Sequence, residues 1–334
     1  MTVDEIEADG FEVNAKIASL LEGDTSKSTA QSMAKTIDGL ADVFDILKPD
    51  LVVILGDRYE ALAAAAAAVA FNIPIAHLHG GETTEGAIDD KFRHAITQLS
   101  DYHFASTAQY ADRIISMGAK PERVFHSGAP GAEVKEDSDP ALAEKFYDKT
   151  GILPGEPFIL LAMHPVTKAS DNGKEEVKAT LEALRAFVRQ GYKILSTMPN
   201  SDPGNEEVAN LFEAFSGDGV IKIKSLGSKL FHYAMEQASA MAGNSSAALI
   251  EAPSHRLPAV NIGIRQKGRA HGMTVLDSPA IKSRIEQTLQ AALSLEMKSV
   301  VMGLPISSLN PYWKEDSANF IASKLLDIIN KDNI

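Results

Sequence analysis

The sequence predicts an α/β protein in which two doubly wound parallel sheets face one another across a cleft. Three observations carry this expectation. Short apolar, β-branched runs alternate with longer amphipathic stretches, the signature of βαβ units. The alternation pauses at a Gly- and Pro-rich linker, GILPGEP at 151–157, and then restarts. The chain has 334 residues, more than one ordinary core holds and enough for two.

The elements follow in order. DLVVILGD (50–57) reads as a buried strand that ends in Gly-Asp. RYEALAAAAAAVAFN (58–72) is Ala-rich and free of breakers, hence a helix suited to close packing on a sheet. IPIAHLHG (73–80) is the next strand, and IDDKFRHAITQLS (88–100) a helix whose acidic first turn matches the macrodipole. YHFAS is a strand, TAQYADRIISMG a helix closed by Gly118, and RVFHSG a strand. After the linker, FILLAMHP, YKILSTMPN, GVIKIKS, ASAMAG and LPAVNIG supply a second set of strands, and the two sheets are expected to be of similar size. A last amphipathic helix, Ala318 to Ile329, follows NPYW. The expected domains are 1–152, 157–312, and a terminal segment 313–334 returning to the first domain.

Bulk composition excludes several classes. The net charge is −13, so neither a nucleic-acid surface nor an anionic-membrane surface is expected. The chain has no cysteine, which rules out disulfides, thiolate nucleophiles and Cys-held metals. The N-terminus is acidic without an apolar signal core, and the longest apolar run, Ala61 to Phe71, is too short to span a bilayer. A cytoplasmic protein is expected.

In open α/β folds ligands bind beyond the C-terminal ends of the strands. Asp57 ends one strand, His77 to Glu82 follow the next, and Asp89 and Asp90 begin the helix after it, so one rim receives a dense set of titratable groups. Asp57 is either a cleft residue or a plain helix cap. Arg58 offers a planar fork for a phosphate or carboxylate. Glu82, Asp89 and Asp90 are candidate acid/base groups, because crowded carboxylates in a dry cleft separate their pKa values. The Gly80-Gly81 pair is read as allowing a ligand close to the backbone. Zinc ligation by His77, His79, Glu82 and Asp90 is the competing reading. The strand spacing of the two His differs from the helical His-x-x-x-His of zinc hydrolases, so no metal is expected. His164, in MHPVT, ends the first strand of the second sheet and faces the cleft from the other side. Gly243-Asn244-Ser245-Ser246 turns from strand to helix in a form that suits a phosphate. Glu251 follows as a candidate partner for ribose hydroxyls, and Arg265 and Arg269 add positive charge after the next strand.

Taken together, GDRYEALAAA, HLHGGETTEGAIDDKFRHAITQLSDYHF, MHPVT, PNSD, AGNSSAALIEAP, VNIGIRQKGR and NPYW resemble the hydrolysing UDP-N-acetylglucosamine 2-epimerases of bacterial sialic and related nonulosonic acid pathways. The likeness runs over nearly the whole chain, in order. It implies two Rossmann-like domains in the glycosyltransferase-B arrangement. It implies catalytic importance for Asp57, the loop around Glu82, Asp89 or Asp90, Arg93 and His164, and for His79, which stands where some relatives carry a catalytic Glu. It implies UDP binding by Asn200, Ser245, Ser246, Glu251 and Arg265. The implied reaction converts UDP-N-acetylglucosamine to N-acetylmannosamine and UDP by elimination and hydration of a glycal, without a cofactor. The His-x-His-Gly-Gly-Glu form looks like the branch acting on UDP-N,N'-diacetylbacillosamine, the alternative substrate. A glycosyltransferase of the same fold and a non-catalytic UDP-sugar-binding protein are the rival functions, and a homo-oligomer (dimer or tetramer) is expected. Family members usually open with a further βα unit bearing a Gly-Thr-Arg loop. Nothing here matches it, so an open apolar sheet edge at 51–55 is expected, with weak activity and a tendency to associate.

Overall fold

The computed structural model describes residues 2–21, 23, 25–134, 139–198 and 205–331. Strands β1 (Val52–Leu55), β2 (Ile75–Leu78), β3 (Tyr102–Ala105) and β4 (Val124–His126) form a parallel sheet in that order. A second parallel sheet has β5 (Phe158–Ala162), β6 (Lys193–Thr197), β7 (Val220–Ile223), β8 (Ala240–Gly243), β9 (Ala259–Ile262) and β10 (Val275–Ser278) in the order β10-β9-β8-β5-β6-β7. The fold class is the expected one, two Rossmann-like units in a glycosyltransferase-B-like arrangement. The sheets are less alike in size than expected, four strands against six. The short VLDS run of β10 has a half-exposed, polar pattern that hides it in the sequence.

In the first unit the helices are α1 (Thr2–Ala8), α2 (Ser26–Leu47), α3 (Tyr59–Ala70), α4 (Asp89–Leu99) and α5 (Ala108–Ser116). Ala63, Ala65, Ala67 and Ala68 of α3 are buried, and their small side chains let α2 pack closely on α3. Phe44, Ile54, Ile75 and Ile96 complete that core. Helix α2 starts at Thr25, whose hydroxyl accepts from the Ser28 amide at 3.1 Å while Ser28 Oγ accepts from the Thr25 amide at 3.0 Å. The open edge at β1 leaves Val53 50% and Leu55 66% exposed.

The second unit carries α6 (Leu142–Thr150), α7 (Lys174–Arg189), α8 (Asn205–Ala214), α9 (Gly227–Gln237), α10 (Ala247–Ile250), α11 (Lys282–Ala292), α12 (Leu295–Gly303) and α13 (Ile306–Leu309). Strand β5 is buried along its whole length. Its alternate side chains reach opposite faces, as the strand period requires. Ile159 and Leu161 join the core of α7 and α11, and Phe158, Leu160 and Ala162 join that of α6 and α9. We propose that the units divide ahead of Leu142 rather than at 152, because Phe146 of α6 packs 5.9 Å from the Phe158 ring in the second core. The last helix, α14 (Ser317–Lys331), sets Ile321 and Ile328 against Ala76, Leu78 and Phe104 of the first sheet. Ile250 and Tyr312 join Ala105, Tyr110 and Ile114 in an apolar joint between the units. Among the described residues no helix is long and apolar enough to cross a membrane.

The second sheet reverses its strand order between β5 and β8. Such a switch point opens a crevice at the strand ends. His164 follows β5 and Asn244 follows β8, so the sheet delivers both to that crevice.

Candidate active site

A cavity of about 190 Å³ lies between the units. Asp57, Arg58 and Asp89 line it from the first sheet, and His164, Ser245, Ser246, Arg265 and Arg269 from the second. Thr84, Ala87 and Gln266 complete the lining. Residues from positions 57 to 269 therefore converge on one crevice.

Asp57 does not cap α3. The residue before that helix is Arg58, with no side-chain cap. Asp57 Oδ2 instead accepts from the guanidinium of Arg93, which is completely buried and also donates to Thr84 Oγ1 at 2.9 Å. Arg93 thus stands behind the cavity and holds Asp57 at its edge. Arg58 is partly exposed, its Nε 3.2 Å from Glu60 and its guanidinium 5.5 Å from the Tyr59 ring.

Glu82 does not reach the cavity. It has no exposed surface, and its Oε1 accepts from His79 Nδ1 at 2.7 Å and from Ser106 Oγ at 2.5 Å. Its Oε2 accepts from Arg269, so a buried ion pair ties the first unit to the second. Burial acts to raise the Glu82 pKa, but Arg269 and then His79 overcome it and hold the carboxyl well below its usual range. Burial opposes the charge of Arg269 too, yet Glu82 raises its pKa on balance. His79 sits at φ +63, a left-handed conformation uncommon for a side-chain-bearing residue. Asp90 accepts from the Thr84 amide at 2.7 Å, bracing the loop, while its neighbour Asp89 lines the cavity.

The glycine pair serves packing rather than ligand approach. A Cβ on Gly80 would lie 2.8 Å from His77 Nδ1, and one on Gly81, at φ +72, would lie 2.7 Å from Ile114. The His77 ring is occupied as well, with Nε2 2.7 Å from the Gly56 carbonyl and Nδ1 3.3 Å from Thr97 Oγ1. Among the described residues no group of three His, Asp or Glu is disposed to hold a metal ion.

On the second wall Asn244 is the organiser that sequence reasoning missed. Its Oδ1 accepts from the His164 amide at 2.7 Å and its Nδ2 donates to the His164 carbonyl at 2.9 Å. Its own carbonyl accepts from Arg265 at 3.2 Å and Gln266 at 3.0 Å. Its signal in the sequence was its place in Gly-Asn-Ser-Ser, a stretch read as a turn that suits a phosphate. Ser245 Oγ accepts from the Ala247 amide at 3.3 Å, and Ser246 heads the single turn of α10. Burial, then Arg265 and Arg58, push the His164 pKa down to about 3. The imidazole is therefore neutral at neutral pH. An anion between the two Arg would offset part of that shift.

Glu251 closes α10 rather than extending along it. Burial pushes its pKa up to about 7 against the opposing pull of His79 and Arg269. Its Oε2 is buried with no hydrogen-bond partner among the described residues, and Glu251 stands behind the residues that line the cavity. Asn200 lies outside the described residues.

A family model described as UDP-N-acetylglucosamine 2-epimerase matches residues 1–326. The chain is 36% identical over 298 residues to the UDP-N,N'-diacetylbacillosamine 2-epimerase (hydrolyzing) of Legionella pneumophila, covering 88% of this chain and 77% of that one. It is 34% identical over 309 residues to the GDP/UDP-N,N'-diacetylbacillosamine 2-epimerase (hydrolyzing) of Campylobacter jejuni, covering 89% and 77%. The crystal structure of the Neisseria meningitidis UDP-GlcNAc 2-epimerase bound to UDP-GlcNAc superposes with a TM-score of 0.80 at 18% identity, over 97% of this chain and 88% of that one.

Proposed function

The chain belongs to the UDP-N-acetylglucosamine 2-epimerase family, and on that premise we propose that it is a hydrolysing 2-epimerase of a UDP-linked 2-acetamido sugar. The observation that carries this is the division of labour across the cavity. Asp57 and Asp89 stand with Arg58 on the first wall, and His164, kept neutral, with Arg265, Arg269, Ser245 and Ser246 on the second.

The reaction has two halves. A base takes the proton from C2 of the sugar while the C1–O bond to UDP breaks, giving a glycal with a C1=C2 double bond. Water then adds its hydroxyl to C1, and a proton reaches C2 from the opposite face. We assign the proton transfers to Asp57, Asp89 and His164, the titratable groups that line the cavity. A positioned group of this kind contributes about 10²–10⁴-fold. Arg58 and Arg265, with Ser245 and Ser246, hold the departing diphosphate, whose charge grows as the C1–O bond lengthens. Glu251 takes the ribose hydroxyls. Arg93, Glu82 and His79 act behind them: Arg93 fixes Asp57, and the Glu82–His79 pair fixes Arg269.

UDP-N-acetylglucosamine is the first substrate reading, supported by the family match. UDP-N,N'-diacetylbacillosamine is the second, favoured by the names of the Legionella and Campylobacter relatives. The two differ at C4 and C6 of the sugar, away from the bonds that react. The test is to incubate the protein with each, without acceptor, and follow UDP release with the configuration of the free sugar. Release of UDP with an inverted C2 in the sugar is expected. Turnover that requires an acceptor would make the chain a glycosyltransferase, and binding without turnover would make it a UDP-sugar-binding protein.

A further inference from the structure

The helix that brings Asp89 to the cavity has an unusual start. Ile88 is the residue before α4, and it has no polar side chain with which to cap the helix. The first amides of a helix have no partner within it and need one from elsewhere. The Ile88 amide finds its partner on the other wall: it donates to Thr167 Oγ1 at 2.9 Å. Thr167 belongs to the turn after β5 that also carries His164. That turn is braced by the Val166 amide on the Asn172 carbonyl at 2.9 Å and the Ala169 amide on the Val166 carbonyl at 2.9 Å.

Neighbouring contacts make the same crossing close. The Lys168 amide lies 3.3 Å from the Gly86 carbonyl, and the Glu85 amide donates to the Lys267 carbonyl at 3.0 Å. A Cβ on Gly86 would lie 2.4 Å from the Ile264 carbonyl oxygen and 2.6 Å from Arg265 Cα. The segment 85–88 is therefore clamped between two loops of the second unit. Within that clamp, Thr167 bonds the amide of the residue before α4, and Lys168 Nζ lies 4.0 Å from Asp90 Oδ2 in its first turn.

We propose that Thr167 is a positioning residue for the epimerase reaction: its hydroxyl caps, from the opposite sheet, the helix that presents Asp89. The inference rests on the functional reading above. Asp89 adjoins Ile88 in the chain, and His164 shares its turn with Thr167. Among the contacts at this crossing, the Thr167 bond links the turn of His164 directly to the residue before Asp89, and a proton transfer across the sugar depends on the spacing between those two groups.

The test compares Thr167→Val, which keeps the shape and removes the hydroxyl, with Thr167→Ser, which restores it. In Thr167→Val kcat falls about fivefold to tenfold, the scale of one lost hydrogen bond, while KM, UDP affinity and melting temperature stay near the parent values. Thr167→Ser recovers the parent kcat. Hydrogen exchange at the Ile88 amide, measured with UDP bound, rises about tenfold in the Val variant and returns in the Ser variant. A Val variant with parental kcat and parental Ile88 protection overturns the proposal, as does a Ser variant as slow as the Val variant. If the parent releases no UDP from either sugar nucleotide, the functional reading fails, while the exchange comparison still decides whether Thr167 caps the helix.

Discussion

Glu251 shows how burial prepares a single side chain. Its carboxyl is held partly protonated at neutral pH, with one oxygen unpartnered. As pH rises from 6 to 8 the ionised form takes over and becomes a stronger acceptor for hydroxyls. UDP affinity should therefore rise about threefold to tenfold more over that range in the parent than in Glu251→Gln, which cannot ionise. Titration calorimetry on both proteins makes the comparison, and the ionisation of UDP itself cancels between them. Parallel profiles would remove Glu251 from the ribose site. At this scale the sequence was legible where a residue ends a strand. Asp57, Asp89 and His164 all line the cavity. It was misleading where a partner arrives from far along the chain. Glu82 looks like a rim carboxylate until Arg269, contributed by the opposite unit, covers it.

The elements were read from their apolar periods, which find the buried strands β2, β3 and β5; β1, read as a buried strand, is an edge whose Val53 and Leu55 face outward. Helix α2 escaped it. Several of its buried positions are Ser28, Ser32 and Thr36, which look like surface, and its reciprocal cap uses Ser28 where the common signature has Glu or Gln. The packing of β5 on β8 was also invisible. Gly243 sits at φ +136, and a Cβ there would lie 2.0 Å from the Ala162 carbonyl oxygen. Only glycine tolerates both conditions. Gly243→Ala should part the two strands at the switch point and lower the melting temperature by roughly 5 °C or more. Thermal unfolding followed by circular dichroism tests this, and a variant that melts with the parent would show that the strands can separate at no cost.

Across the whole molecule, pH acts through histidines kept neutral. Burial pushes His77, His103 and His255 down to about 4, and burial with two Arg pushes His164 to about 3. A depressed histidine pKa means that the unfolded chain takes up protons the folded one refuses. That contribution to stability is complete above the unfolded value of about 6.5 and is lost as pH falls toward 4. Glu251 works the other way. Its raised pKa lets the folded state hold a proton between the ordinary carboxyl value and about 7, so its contribution grows as pH falls. Glu176, raised by burial, and His271, raised by its bond to Asp277, act in the same sense as Glu251, but burial also lowers His94, His126 and His232, so the lowered histidines outnumber the raised groups. The melting temperature should fall by at least about 5 °C between pH 7 and pH 5, and scanning calorimetry showing a level or rising value would contradict this account. The Glu82–Arg269 pair answers to a different variable. Its side chains are 0% and 8% exposed, whereas that of Arg58 at the cavity mouth is 36% exposed. Mobile ions screen charges they can approach and leave enclosed ones almost untouched. Rising ionic strength should then weaken the hold on an incoming diphosphate while the bond between the two halves keeps its strength, so that salt sets how often the cleft is filled without setting whether it is assembled.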